Sequence, residues 1–230
     1  MSPVSTVVFD VNETLSDLAP LQERFSDIGA PRHLAPLWFA SLLRDGLALT
    51  VTGDNQAFAD IGRTLLFSML DPDSLDRSVD DAVRHVMEGF MSLSVHPDVP
   101  DGVAALEEAG LRLVTLSNGS SSVADRLLTE AGLRGSFAQL LTVEDAEVWK
   151  PARSAYAFAA ERCGTDLGEM VLVAVHPWDI HGAANAGMVT AWINRDGGTY
   201  PGHFAAPDLE ISGLAELATR LGHRESSGSP

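Results

Sequence analysis

The chain has 230 residues, a formal net charge of −17 at pH 7, 45% hydrophobic residues and 20% charged ones. That length holds one sizeable core, or a core with a smaller insertion, in a composition ordinary for a soluble globular protein. The acidic balance, with no basic stripe or Lys/Arg cluster, excludes nucleic acid and anionic membrane as partners and obliges an anionic substrate to find a local positive charge.

The N-terminus lacks the basic region, apolar stretch and small-residue cleavage site of a secretion signal. A short apolar strand, Thr6 to Phe9, ends in the carboxylate of Asp10. Residues 17 to 95 read as several amphipathic helices without a strand. Leu34, Leu37, Trp38, Leu42 and Leu43 keep helical spacing, as do Phe58, Ile61, Leu65, Leu66 and Met69. Asp71-Pro72-Asp73-Ser74 breaks the run before a helix from Leu75 to Met91. No apolar run approaches the length of a membrane span.

The turn-rich segment from His96 to Gly102 marks a boundary, after which helix and strand alternate. The pattern predicts a helix from Val103 to Ala109, a strand from Leu111 to Leu116 and a helix from Ser121 to Ala131. A strand from Leu140 to Val143 and a helix from Ala152 to Cys163 follow, with Pro151 at an early helical position. Then come a strand from Met170 to Val175, a helix from Ile180 to Ala186 and a strand from Val189 to Ile193. Cys163 is the sole cysteine, which excludes an internal disulfide and fits a reducing, cytoplasmic location. Residues 224–230 read as a frayed tail. The expected fold class is α/β, a parallel sheet with helices on both faces. Residues 1–15 and 97–223 form the core, and 16–96 form an all-helical insertion lying as a lid over the carboxyl edge of the sheet, next to Asp10.

Open α/β sheets carry their chemistry just past such carboxyl ends. Asp10 stands at the first, as a nucleophile or as the cap of a loop. Ser117-Asn118-Gly119-Ser120 follows the second, as an anion site at a helix N-terminus or as an ordinary turn. Lys150 follows the third. Arginine occurs fourteen times and lysine only here, so a compact ammonium with a tunable pKa has been kept at one junction, unless it merely sits on a solvated face. His176-Pro177-Trp178-Asp179 ends the fourth, where Asp179 can also be a plain cap beside a packing Trp178. One site explains four such strand ends better than four accidents.

The order of these motifs resembles the haloacid dehalogenase superfamily of hydrolases over nearly the full chain, and within it the type II 2-haloacid dehalogenases. Phe9-Asp10 with Thr14-Leu15 is similar to their nucleophile motif, and Leu116-Ser117-Asn118-Gly119-Ser120 to their second. Val148-Trp149-Lys150-Pro151 with Tyr156 is similar to their third, Trp178-Asp179 to their fourth, and Ala191-Trp192-Ile193-Asn194-Arg195 to their last strand. The resemblance implies a Rossmann-like core with a helical cap, in which Leu43 and Phe58 stand at pocket positions. The superfamily's phosphatases use a second Asp two residues after the nucleophile as general acid. Asn12 stands there and cannot do that work. They hold Mg²⁺ with further carboxylates at the fourth motif, where this chain has Val175, and a hard cation wants more oxygens than Asp10 and Asp179 supply. The expectation is therefore no metal and no cofactor, with Lys150 neutralising Asp10 and lowering its pKa.

By that resemblance Asp10 attacks the α-carbon of a 2-haloalkanoate and forms an aspartyl ester, which water then hydrolyses with Asp179 as base. Thr14, Ser117 and Tyr156 hold the carboxylates, Asn118 takes the halide, and Trp178, Phe58 and Leu43 wall a dry pocket. Two departures stand out. Phe39 replaces the family's cap arginine, with Arg44 a little over one helical turn further on. Ala174-Val175-His176 replaces Ser-Ser-Asn, which makes His176 a donor to the leaving group, a base, or a packed ring. The partner implied is a small halogenated carboxylic acid, and a homodimer is among the assemblies left open. A phosphatase with unusual ligands and a non-catalytic small-acid binder remain as alternatives.

Overall fold

Thr6–Phe9 (β1) is buried along its whole length, as a strand covered on both faces must be. The other strands are Arg112–Ser117 (β2), Phe137–Thr142 (β3), Met170–Ala174 (β4), Val189–Ile193 (β5) and Leu209–Ile211 (β6). In the computed structural model, which describes residues 3–226, they form one sheet of order β3-β2-β1-β4-β5-β6 with every pairing parallel. The order reverses beside β1, between it and β4, and the crevice past the carboxyl ends of those two strands is where such sheets bind ligands.

The segment from β1 to β2 holds Leu21–Ser26 (α1), Leu34–Thr52 (α2), Phe58–Met69 (α3), Val79–Met91 (α4) and Val99–Glu108 (α5). Later come Ser121–Glu130 (α6), Val143–Ala146 (α7), Arg153–Cys163 (α8), Pro177–Ala186 (α9) and Leu214–Ser226 (α10). Strand side chains alternate between two cores, as the two-residue period requires. Val7, Phe9, Val171, Val173 and Ala191 pack with α5, α6 and α10. Val8, Val114, Leu116, Leu172 and Trp192 pack with α8 and α9.

The helices α1 to α4 enclose a third core, built on Phe25, Trp38, Leu42, Phe58, Leu66 and Phe90. Trp149, from the loop before α8, belongs to it. Its indole lies against Gly46, where a Cβ would come within 2.4 Å of the ring. Its Nε1 donates to Asn55 Oδ1 at 3.1 Å and to the Gln56 carbonyl at 3.2 Å. The residue before Lys150 thus anchors the helical layer to the sheet.

Several boundaries differ from the sequence pattern for local reasons. The helix expected from Leu75 starts at Val79, after a 3₁₀ turn at Pro72–Ser74 and a cap in which Ser78 Oγ accepts from the Asp81 N–H at 3.2 Å. Helix α5 starts four residues before Val103, because Pro100 fits a first turn that has no use for its N–H. Pro151 lies outside α8, which begins after an extended Ala152, and the Lys150–Pro151 peptide is cis. Neither β6 nor α10 was foreseen. Helix α10 runs to Ser226, so the expected tail is helical for its first three residues, and 227–230 lie outside the described residues. The expectation on apolar length also needs correcting: α2 is long and apolar enough to cross a membrane by length and composition. It packs through Trp38, Phe39 and Leu42 into the helical core instead and turns the Arg44–Asp45 ion pair outward.

Candidate active site

Asp10 follows β1 directly, and its side chain is 5% exposed. Thr14 Oγ1 donates to Asp10 Oδ2 at 2.6 Å and accepts from the Val175 N–H at 3.1 Å. That backbone donor fixes the hydroxyl's orientation, leaving its proton for the carboxylate. Lys150 Nζ donates to Asp10 Oδ1 at 2.8 Å and to Asp179 Oδ2 at 2.6 Å, with none of the lysine side chain exposed. Tyr156, from α8, donates to Asp179 Oδ1 at 2.6 Å. Three of the four strand ends therefore converge on one buried ammonium shared by two carboxylates.

Burial alone would raise the Asp10 pKa. The charges of Lys150 and His176, with hydrogen bonds from Lys150 and Thr14, outweigh it and hold the carboxyl below its usual range. Asp179 goes the other way: burial and the charge of Asp10 raise it against the pull of Lys150 and Tyr156. Burial pulls the Lys150 ammonium down, but the two carboxylates win and raise it. Tyr156 is held well above its usual value by burial and by Asp179, so it remains a donor. Paired groups pushed apart in this way are suited to different roles: Asp10 is the one held ionised, and Asp179 the one that takes a proton more readily.

A cavity of about 560 Å³ lies between the helical layer and the carboxyl ends of β4 and β5; Asp10, Lys150 and Asp179 do not line it, and it meets this cluster through His176. His176 stands at its inner end, with Nε2 3.1 Å from the Asn12 carbonyl and 3.7 Å from Asp10 Oδ2. Its ring is stacked between Phe39 and Trp178. Glu13 also lines the cavity, its Oε2 3.7 Å from His176 Nε2. Its φ of 62° is unusual for a residue with a side chain, and His96 Nε2 holds its carbonyl at 2.9 Å. Glu13 carries no motif in the sequence, and only its left-handed backbone and its place in the wall reveal it.

Other expected site residues do different work. Ser117 touches neither carboxylate: its Oγ accepts from the Gly119 N–H at 2.9 Å, closing the turn after β2. Asn118 clasps the backbone of Lys150, its Oδ1 accepting from the Lys150 N–H at 3.0 Å and its Nδ2 donating to the carbonyl at 3.3 Å, so it positions the lysine and keeps a second Nδ2 proton for another acceptor. Phe39 reaches the cavity wall. Phe58 stacks behind it against Trp149 and Phe90, and Trp178 stacks behind His176. Leu43 packs into the helical core, away from the wall. Arg44 is exposed on Asp45 and does not replace the missing arginine.

The residues present do not fit a divalent cation. An ammonium already bridges the two carboxylates that would be its ligands, and Asn12 and Val175 bring no further acidic oxygen.

The family model of haloacid dehalogenase-like hydrolases matches residues 4–187. The (S)-2-haloacid dehalogenase of Pseudomonas sp. (strain YL) is 31% identical over 221 residues, covering 93% of each chain. A solved L-2-haloacid dehalogenase superposes with a TM-score of 0.88 at 26% identity, over 96% of this chain and all of that one. A second solved dehalogenase, captured as an intermediate complex, gives 0.86 at 26% identity over 96% and 98% of the two chains. With the strand-end cluster, these matches make the chain a member of the haloacid dehalogenase-like hydrolase family.

Proposed function

We propose that the chain hydrolyses 2-haloalkanoic acids to 2-hydroxy acids through an ester on Asp10, without a metal. The observation that carries this reading is the buried Lys150 ammonium between Asp10 and Asp179, which keeps the first ionised and leaves the second as a base. An Asp10 oxygen attacks the halogen-bearing carbon, and the C–O bond forms as the halide leaves with the bonding pair. Water then adds to the Asp10 carboxyl carbon while Asp179 takes its proton, and the ester C–O bond breaks to release the hydroxy acid. His176, at the inner end of the cavity and 3.7 Å from Asp10, is the polar ring nearest the place of the substrate carboxylate, which Phe39 cannot bind. Residues 16–96 act as the cap that keeps bulk water away from the ester. The (S)-2-haloacid dehalogenase relative and the dehalogenase with an intermediate complex support this chemistry.

Single turnover in oxygen-18 water is the test. Label in Asp10, with halide release unchanged by EDTA, is the expected result. Unlabelled Asp10 after turnover would overturn the covalent route, and EDTA-sensitive hydrolysis of p-nitrophenyl phosphate would favour a phosphatase.

A further inference from the structure

The cavity is larger than the smallest haloacids need. Its volume of about 560 Å³ falls within the range of roughly 300–1,000 Å³ that accommodates drug-sized ligands, whereas a 2-halopropionate has only a handful of non-hydrogen atoms. Leu18, Leu21, Ala35, Pro36, Phe39 and Trp192 give it an apolar wall running outward from His176. Its charges are mostly acidic: Glu13, Asp17 and Asp196 face it. Arg195 also lines it; its Nε and Nη2 are committed to Asp98 at 2.8 and 3.2 Å, and its Nη1 is buried without a hydrogen-bond partner. The Nε2 atoms of His96 and His176 face backbone carbonyls.

We propose that the preferred substrate is a 2-halo acid with an extended apolar chain, uncharged or cationic at its far end. That chain lies in the cavity while the halogen-bearing carbon faces Asp10. The assignment rests on the dehalogenation reading and goes beyond it, since Asp10 and Lys150 chemistry alone sets no chain length. Burying methylenes against the wall favours the longer acid, while a second carboxylate meets Asp17 and Asp196, and the guanidinium beside them is already paired with Asp98.

The test compares kcat/KM for 2-bromopropionate, 2-bromohexanoate and 2-bromoadipate. Hexanoate should exceed propionate by about tenfold or more, mainly through KM, and the dianionic adipate should fall about tenfold below hexanoate. Ala19 lies on the exposed rim of the cavity, and Ala19→Trp should bring the hexanoate-to-propionate ratio close to one. Equal or falling kcat/KM with chain length, adipate as good as hexanoate, or an unchanged ratio in Ala19→Trp would each overturn the proposal while leaving dehalogenation intact. Halide release from none of the three acids would overturn the dehalogenation reading and this assignment with it.

Discussion

Lys150→Met keeps most of the side chain's length and bulk and removes the charge that two buried carboxylates share. Removing one partner of a buried ion pair costs about 3–5 kcal/mol. The variant limits that cost by binding a proton in the folded state, because burial and mutual repulsion then push the Asp10–Asp179 pair upward unopposed. Unfolded aspartates titrate near 3.9. Between that value and the raised folded value the native state holds one more proton than the unfolded chain, so stability falls by about 1.4 kcal/mol per pH unit as pH rises. A penalty of about 3–5 kcal/mol corresponds to roughly two to four such units, so acidification from about neutrality to about pH 4 should restore most of the loss. In the parent protein Asp10 contributes with the opposite sign. Its lowered folded value gives stability that is present above the unfolded value and is lost as pH falls through the folded one. Urea unfolding at pH 5 and pH 8, with m held in common, measures the difference. The gap between variant and parent should be several kcal/mol at pH 8 and clearly smaller at pH 5. Ester formation in the variant should rise with pH, as Asp10 loses its extra proton. A gap under about 1 kcal/mol at pH 8, or the same gap at both values, would refute the view that Lys150 neutralises this pair.

Thr14→Val removes the hydrogen bond to Asp10 and leaves the Val175 N–H without its acceptor. It should cost about 1–3 kcal/mol, and the acid limb of the kcat/KM profile should move to higher pH. Tyr156→Phe removes a donor that holds Asp179 down. Asp179 should then be protonated over more of the pH range, and intact-mass spectrometry should find the Asp10 ester accumulating. Glu13→Gly relieves a left-handed backbone at φ 62°, a gain of up to about 1 kcal/mol in thermal melts. Burial holds the Glu13 carboxyl above its usual range, so its ionisation costs stability as pH rises through that value. The gain from Glu13→Gly should therefore be larger at pH 8 than at pH 4.

The sheet was legible because its strands announce themselves by burial on both faces and end in charged or polar residues, so Asp10, Lys150 and Asp179 could be named before any geometry. The edge was not. Strand β6 has three residues and pairs on one side only, which leaves too short a run for a two-residue period to register. Ser117 and Asn118 were found for their chemistry, and the structure adds contacts that residue type does not reveal. Residue type shows that a hydroxyl or amide can bind an anion, and cannot show that backbone N–H groups of Gly119 and Lys150 occupy their oxygens and so set which way their own donors point. Glu13 was missed for a related reason, since an exposed-looking acid in a polar turn has no periodicity to betray it. Its significance comes from His176, brought from the far side of the sheet crossover to 3.7 Å.

The single lysine makes sense once its two sets of contacts are considered together. Its ammonium is a compact donor with room for both Asp10 and Asp179, where the wide planar fork of an arginine would need more space than a side chain with no exposed surface has. Its backbone is held on both sides by Asn118, and its neighbour Trp149 is locked to the helical layer through Gly46, Asn55 and Gln56. The charge that keeps Asp10 ionised is therefore set one peptide bond from the contact that seats the helices over the cavity. A substitution such as Gly46→Ala, remote from every reacting atom, forces the Trp149 ring to move. That movement passes through one peptide bond to Lys150, whose ammonium holds Asp10 ionised.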